Sequence, residues 1–522
     1  MHYLNTAFPT IQFQKARKGK IYVDKSGMLE IISQRLGTMD NYICITRPRR
    51  FGKTVNATML GAYYTIGQDS SALFGGLKIS RIEYCQEHQN QYNVIYIDFS
   101  RTPDICQTYE EYIGSIIKSM QEDFLEAYPV LSGKEYDSLA SMLQDTGDQF
   151  LFIFDEWDSI FYKQFMTAKE RNAYLEFLKN LLKDRPYVTL AYMTGILPIA
   201  KYSSGSALNM FEEYDFINDN IFDQYFGFQE DEVRALCKKF PSVSFGDIKY
   251  WYDGYYQSNG SPLFNPRSVS QALMRGKCLN YWTQTGPMNE IADCIEHNAE
   301  AVCEDIVKMV ANLPVQIKLN GYSAAEPQLT TRNEILSAMV VYGFLSYHEG
   351  TLQIPNQELM EKYQAILERN SMGEVKKIII KSREMLDATL SCEEGRVAEI
   401  LEEVHDREIP FLSYNDENSL SCVITLCYLV AREDYYIYRE EKSGKGYCDY
   451  LFLPRTTRHP AIILELKVNE SKESAIQQIK NKNYLQKTEA YPEVILVGIN
   501  YGKKEKKHTC KIEKIKNVNG NN

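Results

Sequence analysis

Thr46-Arg47-Pro48-Arg49-Arg50-Phe51-Gly52-Lys53-Thr54 leaves an apolar strand, Asn41 to Thr46, and enters a helical pattern from Lys53 to about Ile66. The Gly-Lys-Thr that closes this strand–loop–helix turn is the end of a phosphate-loop signature. Gly52 permits a tight backbone turn close to a phosphate. The helix N-terminus adds unpaired N–H groups and a favourable dipole. In this reading Lys53 reaches the β- and γ-phosphates and Thr54 holds Mg²⁺. The full pattern GxxxxGK[ST] calls for glycine where this chain has Arg47. With Arg49 and Arg50 the loop is strongly cationic, suited to extra phosphate contacts or to gripping something other than ATP.

Further strands follow at Val94–Phe99, Phe150–Asp155 and Tyr187–Thr194, with helical patterns over Tyr109–Tyr128 and Lys169–Lys183 between them. Strands alternating with helices imply parallel crossovers and an α/β sheet covered on both faces. Phe152-Ile153-Phe154-Asp155-Glu156 is an apolar strand ending in two carboxylates, with Asp158 close behind. Beside a phosphate loop, Asp155 would hold Mg²⁺ through water and Glu156 would polarise the attacking water. Thr194, at the tip of the next strand, would orient that water.

The rest of the chain bounds the answer. Its 522 residues, at roughly 150 per domain, suggest about three domains. The 12 cysteines are scattered without a CxxC pair, so neither a disulfide framework nor a zinc ribbon is indicated. No run reaches the ~18 apolar residues of a membrane span, the longest candidate being Ser419–Ala431. Met1–Lys20 has no apolar signal-peptide core. A cytoplasmic location without membrane contact is expected. The net charge of 58 − 69 = −11 argues against a general coat of nucleic acid, though not against a local basic site.

From about 216 to 400 the pattern is mostly helical, with amphipathic stretches at Gln229–Phe240 and Thr331–Val341. Gly343–Ile354 reads as a hairpin turning at Glu349-Gly350, so the region suggests a winged helix or lid. The last segment reads αβββαβ: a helix over Asn415–Ala431, strands over Asp434–Arg439, Tyr447–Leu453 and Ala461–Val468, a helix over Ser471–Glu489, and a strand over Val494–Asn500. Lys503–Lys516, with seven Lys and one His against two Glu, reads as a solvated tail that could also track a phosphate backbone.

Several stretches together resemble one family. They are Tyr22-Val-Asp-Lys25, Arg47–Thr54, Phe154-Asp-Glu-Trp-Asp158, Thr194–Lys201, Ser206–Asn209, Trp251-Tyr-Asp-Gly-Tyr255 and Asn265-Pro-Arg-Ser-Val269. The chain resembles bacterial AAA-ATPase-like proteins with a C-terminal PD-(D/E)xK nuclease-superfamily domain. The resemblance implies that Arg47 is a family trait, and it departs from the family in having Trp157 where tyrosine is commoner. It also implies a nucleotide site made of Arg47, Arg49, Arg50, Phe51, Gly52, Lys53, Thr54 and Asp155, and a second, D…ExK site.

That second site follows from strand geometry as well. With a turn centred on Thr457, Asp449 and Glu465 oppose each other across a hairpin. Glu465 and Lys467 share a face because strand side chains repeat every two residues. Two carboxylates held together favour a cation between them, and Mg²⁺ suits such oxygen ligands. Asp449, Glu465 and the Leu466 carbonyl would be its ligands, and Lys467 would activate water or stabilise developing charge. The resemblance further implies an added acid, for which Glu417 is the candidate, and auxiliary polar positions, which Gln478 and Tyr484 resemble.

The fold expected is thus α/β. It comprises an AAA-like P-loop NTPase domain with its helical extension (1–285), a helical middle with a winged helix or lid (286–400), and an αβββαβ PD-(D/E)xK domain (401–522). The function expected is binding and hydrolysis of ATP with Mg²⁺, coupled to a metal-dependent nuclease-fold domain acting on DNA or RNA. The competing reading is a nucleotide-dependent switch or scaffold whose nuclease-fold domain only binds nucleic acid or a partner. A small-molecule kinase shares the phosphate loop but leaves the ExK hairpin unexplained. Oligomeric state is left open, and no arginine finger is assigned.

Overall fold

Five parallel strands build the first sheet: β1 (Tyr42–Thr46), β2 (Asn93–Asp98), β3 (Phe150–Asp155), β4 (Val188–Gly195) and β5 (Glu212–Tyr214). Their order is β2-β3-β4-β1-β5, so β4 lies between the phosphate-loop strand and the strand that ends in acids. Every residue of β3 and β4 is buried. Their alternate side chains feed two separate cores. Phe150, Phe152 and Phe154 face one with Ala191 and Met193. Leu151 and Ile153 face the other with Leu190 and Tyr192. A strand buried on both faces must be apolar without alternation, which is why these stretches read as continuous apolar runs.

The described residues are 2–101, 103, 106–199, 208–282, 299–311, 313–319, 331–369, 373–404, 417–443, 446–456, 459–481 and 488–516 of the computed structural model. Among them, no helix is long and apolar enough to cross a membrane. The helices that cover the first sheet begin with α1 (Phe8–Lys18) and α2 (Lys53–Tyr64). Next come α3 (Tyr109–Ala127) and α4 (Ala168–Leu182), each started by a capping box, Thr108 with Glu111 and Thr167 with Glu170. Such reciprocal caps satisfy two of the amide groups that a helix start leaves open.

The chain packs as two compact units. One is Met1–Val302 with Gln316–Leu359; the other is Cys303–Val315 with Met360–Asn522. The expected middle region, 286–400, is shared between them. In the first unit, α5 (Pro266–Arg275) follows a small sheet of Phe228–Gln229, Pro262–Phe264 and Tyr255–Tyr256. A helix over Arg332–Val341 precedes a hairpin of Ser346–His348 with Thr351–Gln353. That hairpin turns at Glu349 and Gly350, whose φ values are 47° and 83°. Positive φ at both central residues is what a two-residue hairpin turn requires.

The second unit has helices α6 (Gly373–Leu390), α7 (Glu394–Glu403), α8 (Glu417–Cys427) and α9 (Lys472–Asn481). Its mixed sheet comprises β6 (Tyr435–Ser443), β7 (Gly446–Pro454), β8 (Ala461–Val468), β9 (Glu493–Gly502) and β10 (Lys507–Lys516), in that spatial order. Only the β8–β9 pair is parallel, spanned by α9. Strand β10 corrects the sequence reading: the lysine-rich stretch is an edge strand, paired antiparallel with β9 from Glu493↔Lys516 to Gly502↔Lys507. His508, Cys510 and Ile512 are its buried positions, Lys511 is half-buried, and Lys507, Lys514 and Lys516 are exposed.

Candidate functional site

Gly52 is the N-cap of α2 with φ 93°. A Cβ there would meet nothing within 4 Å, so it is the left-handed backbone, not crowding, that calls for glycine. Arg50 is left-handed too, at φ 73°. The loop and α2 open onto a cleft of about 660 Å³. Arg49, Arg50, Phe51, Gly52, Lys53, Thr54 and Glu156 all line it.

Arg47 does not. Its side chain is 1% exposed and pairs with the Asp219 carboxylate, itself 1% exposed. It also donates to the carbonyls of Thr46 and Tyr214, each at 2.8 Å, and lies over the Phe226 ring. The expected phosphate contact through Arg47 is therefore corrected: its donors are committed to the floor beneath the loop. Lys53 Nζ donates to the Arg47 carbonyl at 3.0 Å and the Pro48 carbonyl at 3.2 Å, and sits 3.9 Å from Glu156 Oε1.

The strand register brings the acids alongside. Asp155 is level with Asp98 on one side and Thr194 on the other. Asp155 is fully buried. One carboxylate oxygen accepts from Tyr96 Oη at 3.4 Å. The Thr54 side chain also acts on this carboxylate, and the buried Thr194 hydroxyl lies beside Tyr192 on the same strand. Burial, then the Glu156 and Asp98 carboxylates, push the Asp155 carboxyl up to about 8, against the pull of nearby Thr54 and Lys53. A buried carboxylate beside the Thr54 hydroxyl is a pair of hard oxygen donors that fits a cation such as Mg²⁺. Glu156 sits at φ 50°, an unfavoured conformation for a residue with a side chain, and such outliers concentrate at functional sites.

Asp158 has another task. Fully buried, it accepts from the amides of Ile196 at 3.1 Å and Leu197 at 2.9 Å, fixing the turn after β4. Burial and then Glu156 push its carboxyl up to about 6. Gly195 leaves room for it: a Cβ there would lie 2.4 Å from Asp158 Oδ1 and 2.6 Å from Trp157.

The cleft also contains residues to which the sequence reading gave no role. Tyr22 and Lys25 line one wall, and Tyr225, Arg267 and Gln271 another. Lys25 donates to both Glu232 oxygens at 2.8 Å and to the Gln224 carbonyl at 2.9 Å. Burial holds its pKa down, against the Glu232 carboxylate. Lys25 and Arg267 belong to the stretches Tyr22–Lys25 and Asn265–Val269, whose resemblance to the family was the available signal.

In the second unit, β7 and β8 pair as Phe452↔Ile462, Leu451↔Ile463 and Tyr450↔Leu464. One step outward, the same register sets Asp449 against Glu465. Asp449 Oδ2 accepts from the Leu466 amide at 2.7 Å. Glu465, 1% exposed, accepts from Gln478 of α9 through Oε1, which lies 3.6 Å from Lys467 Nζ. Tyr450, beside Asp449, is tied through its hydroxyl to Ser421 at 2.6 Å and Thr425 at 2.8 Å on α8. The two carboxylates are hard oxygen donors that fit Mg²⁺. Among the described residues there is no metal-holding cluster of three or more His, Cys, Asp or Glu. The turn at Thr457, the side chain of Glu417 and all of Tyr484 lie outside the described residues.

Comparison with known proteins finds two domains. Residues 9–204 match the family model described as predicted AAA-ATPase, AAA-ATPase_like. Residues 415–511 match that of the PD-(D/E)XK nuclease superfamily. No curated protein matches the chain. Among solved structures, a Walker-type ATPase of Pyrococcus abyssi is similar at 12% identity, with 65% of this chain and 94% of that one covered and a TM-score of 0.34. The ORC2 protein of Aeropyrum pernix, in ADPNP–ADP complexes, is similar at 12% identity, with 67% and 96% covered and a TM-score of 0.32. The chain joins an AAA-ATPase-like domain to a PD-(D/E)XK nuclease-superfamily domain, the architecture its motifs imply.

Proposed function

We propose that the protein binds and hydrolyses ATP in the cleft of the first unit, and that its nuclease-fold domain cleaves phosphodiester bonds in DNA or RNA. One observation carries the reading. Lys53, Thr54, Asp155, Glu156 and Thr194 meet at the C-terminal ends of β1, β3 and β4, where ligands bind in open α/β sheets. Lys53 and the amides of the first turn of α2 would bind the phosphates, and Arg49 and Arg50 would add charge. Thr54 and Asp155 would hold Mg²⁺, which supplies charge neutralisation on the phosphates when bound. Glu156 would accept a proton from the attacking water and Thr194 would orient it. In the second unit Asp449, Glu465 and the Leu466 carbonyl would hold Mg²⁺, and Lys467 would stabilise charge on the scissile phosphate.

A second reading keeps nucleotide binding but makes the nuclease fold a binding module. It is favoured by one feature: Glu465 is already engaged by Gln478 and sits beside Lys467. Two assays separate the readings. Equal ATP turnover by the parent and Lys53→Ala would sink the ATPase assignment. Equal treatment of DNA and RNA by the parent and Asp449→Ala, with Mg²⁺ or Mn²⁺ and each nucleotide, would leave the binding module. The location is proposed as cytoplasmic.

A further inference from the structure

The lysines from Lys503 to Lys516 fall into two groups. Within β10, Lys514 pairs with Glu493 at 2.8 Å and Lys511 is half-buried. At the turn between β9 and β10 the surroundings differ: Lys503, Lys504, Lys506 and Lys507 are all exposed. Among the described residues, Lys504, Lys506 and Lys507 form no ion pair. Glu505, the one acid of the turn, folds back toward its base, where a Cβ on Gly502 would lie 2.7 Å from Glu505 Oε2.

Protection of the sheet edge does not account for this charge. Lysines often guard an open edge strand, but the outer edge of β10 is covered by α7. The Ile512 amide donates to Glu394 Oε1 at 3.0 Å and the His508 amide to Glu402 Oε1 at 3.3 Å.

The turn is instead tied to the strand that bears the ExK residues. Across the parallel β8–β9 pair Lys467 is level with Asn500 and Val468 with Tyr501. Just beyond, Asn469 takes φ 58°, a conformation asparagine tolerates. Its Oδ1 accepts from the Lys503 amide at 2.9 Å, and its own amide donates to the Tyr501 carbonyl at 2.9 Å. Asn500, 8% exposed, accepts from the Glu470 amide at 3.0 Å. The base of the lysine turn and the end of the ExK strand are thus one hydrogen-bonded piece. Groups locked in this way keep their spacing when a ligand arrives. At about 3.4 Å per residue, the turn stands roughly 7–13 Å beyond the level of Lys467. One strand of a duplex advances about 3.4 Å per phosphate, so this spans about two to four nucleotides.

We propose that Lys504, Lys506 and Lys507 grip the phosphate backbone of a nucleic-acid strand about two to four nucleotides from the phosphate seated at Asp449 and Glu465. The proposal rests on the nucleic-acid reading of the nuclease fold and adds the direction in which the strand runs. DNA and RNA share the chemistry that the lysines recognise. Lys467 acts at the scissile phosphate; the turn holds the strand in place beside it.

The test uses the full chain. Labelled duplex DNA and duplex RNA are titrated by fluorescence anisotropy at several salt concentrations in the presence of Ca²⁺, with intact strands confirmed on a gel afterwards. The turn variant combines Lys504→Gln, Lys506→Gln and Lys507→Gln. The control combines Lys169→Gln, Lys238→Gln and Lys239→Gln, three exposed lysines of the first unit whose loss changes net charge equally. The turn variant binds about tenfold more weakly at low salt, and its slope of log affinity against log salt falls by about 2–3. The control keeps the parental affinity and slope. The nucleic acid that shows the loss, DNA or RNA, is the one the turn serves. Parental affinity and slope in the turn variant, or equal losses in the control, overturn the proposal. Binding with the expected loss but no cleavage by the parent supports the proposal and removes the cleavage reading. A parent that binds neither DNA nor RNA overturns the proposal.

Discussion

Arg47 and Asp219 form an ion pair whose two side chains are each 1% exposed, directly under the phosphate loop. A buried pair is costly to break from one side, at about 3–5 kcal/mol, because the remaining charge is stranded. Asp219→Ala and Arg47→Ala are therefore expected to lower the thermal midpoint strongly. Nucleotide affinity measured well below that midpoint should fall less than in Lys53→Ala. A variant with a normal midpoint and selectively lost affinity would return Arg47 to the phosphate.

Glu156 and Lys53 should separate binding from chemistry. Glu156→Gln keeps shape and loses the base, so ATP turnover should drop about a hundredfold or more while nucleotide affinity holds. Lys53→Ala should lose affinity. Turnover assays paired with titration of a fluorescent nucleotide decide the matter, and undiminished turnover in Glu156→Gln would remove its assigned role.

Gly195→Ala should destabilise the first unit without touching a ligand. The added methyl would meet Asp158 Oδ1 at 2.4 Å, and overpacking of this kind costs about 1–3 kcal/mol or more. Trp157 lies in the same contact and reports it by fluorescence during denaturation. Unfolding at the parental midpoint would contradict the packing account.

In the second unit, Gln478→Ala frees Glu465 from its tie to α9. Second-layer partners of metal ligands are typically worth about 10–100-fold in affinity or activity. Mg²⁺ titrations of cleavage should shift to higher concentration for this variant, whereas Asp449→Ala should not be rescued at any concentration. An unshifted Mg²⁺ curve would leave Gln478 a packing residue.

His508 makes the second unit sensitive to acid. Burial holds its pKa down to about 4, against an ordinary 6.5. Between those values the unfolded chain binds a proton that the folded one refuses. This contribution to stability is whole above pH 6.5 and is lost as the pH falls toward 4, on the order of 3 kcal/mol at most. Hydrogen exchange over 493–516, corrected for intrinsic rates, should show protection declining across that window. His508→Gln should flatten the decline, and a parental slope in that variant would assign the acid sensitivity to other groups.

The α/β sheet was legible because β3 and β4 are buried on both faces, and unbroken apolar runs leave few alternatives. The hairpin opposition of Asp449 and Glu465 was legible because antiparallel register follows from the position of one turn. Strand β10 was hidden, since its period of two is carried only by His508, Cys510 and Ile512 and lysines occupy both faces of the strand around them. The pairing of Arg47 was hidden for a different reason: Asp219 is 172 residues away, and nothing local distinguishes a buried arginine from one that grips an anion. Lys25 and Arg267 stood in motifs to which no mechanism was attached, because the cleft they line is brought together only by the fold.

One consequence follows from the strand inserted between β1 and β3. Neighbouring strands stand about 4.8 Å apart, so the lysine-bearing loop and the acids are separated by roughly 9.6 Å of backbone spacing. The hydrogen-bond ladder thus acts as a ruler. It holds the two backbones at a fixed separation, with Thr194 at its midpoint, which Lys53 and Glu156, 3.9 Å apart, bridge with their side chains. Variation at this site is then confined to the side chains that project between these strands, since the spacing of the strands is set by the peptide bond itself.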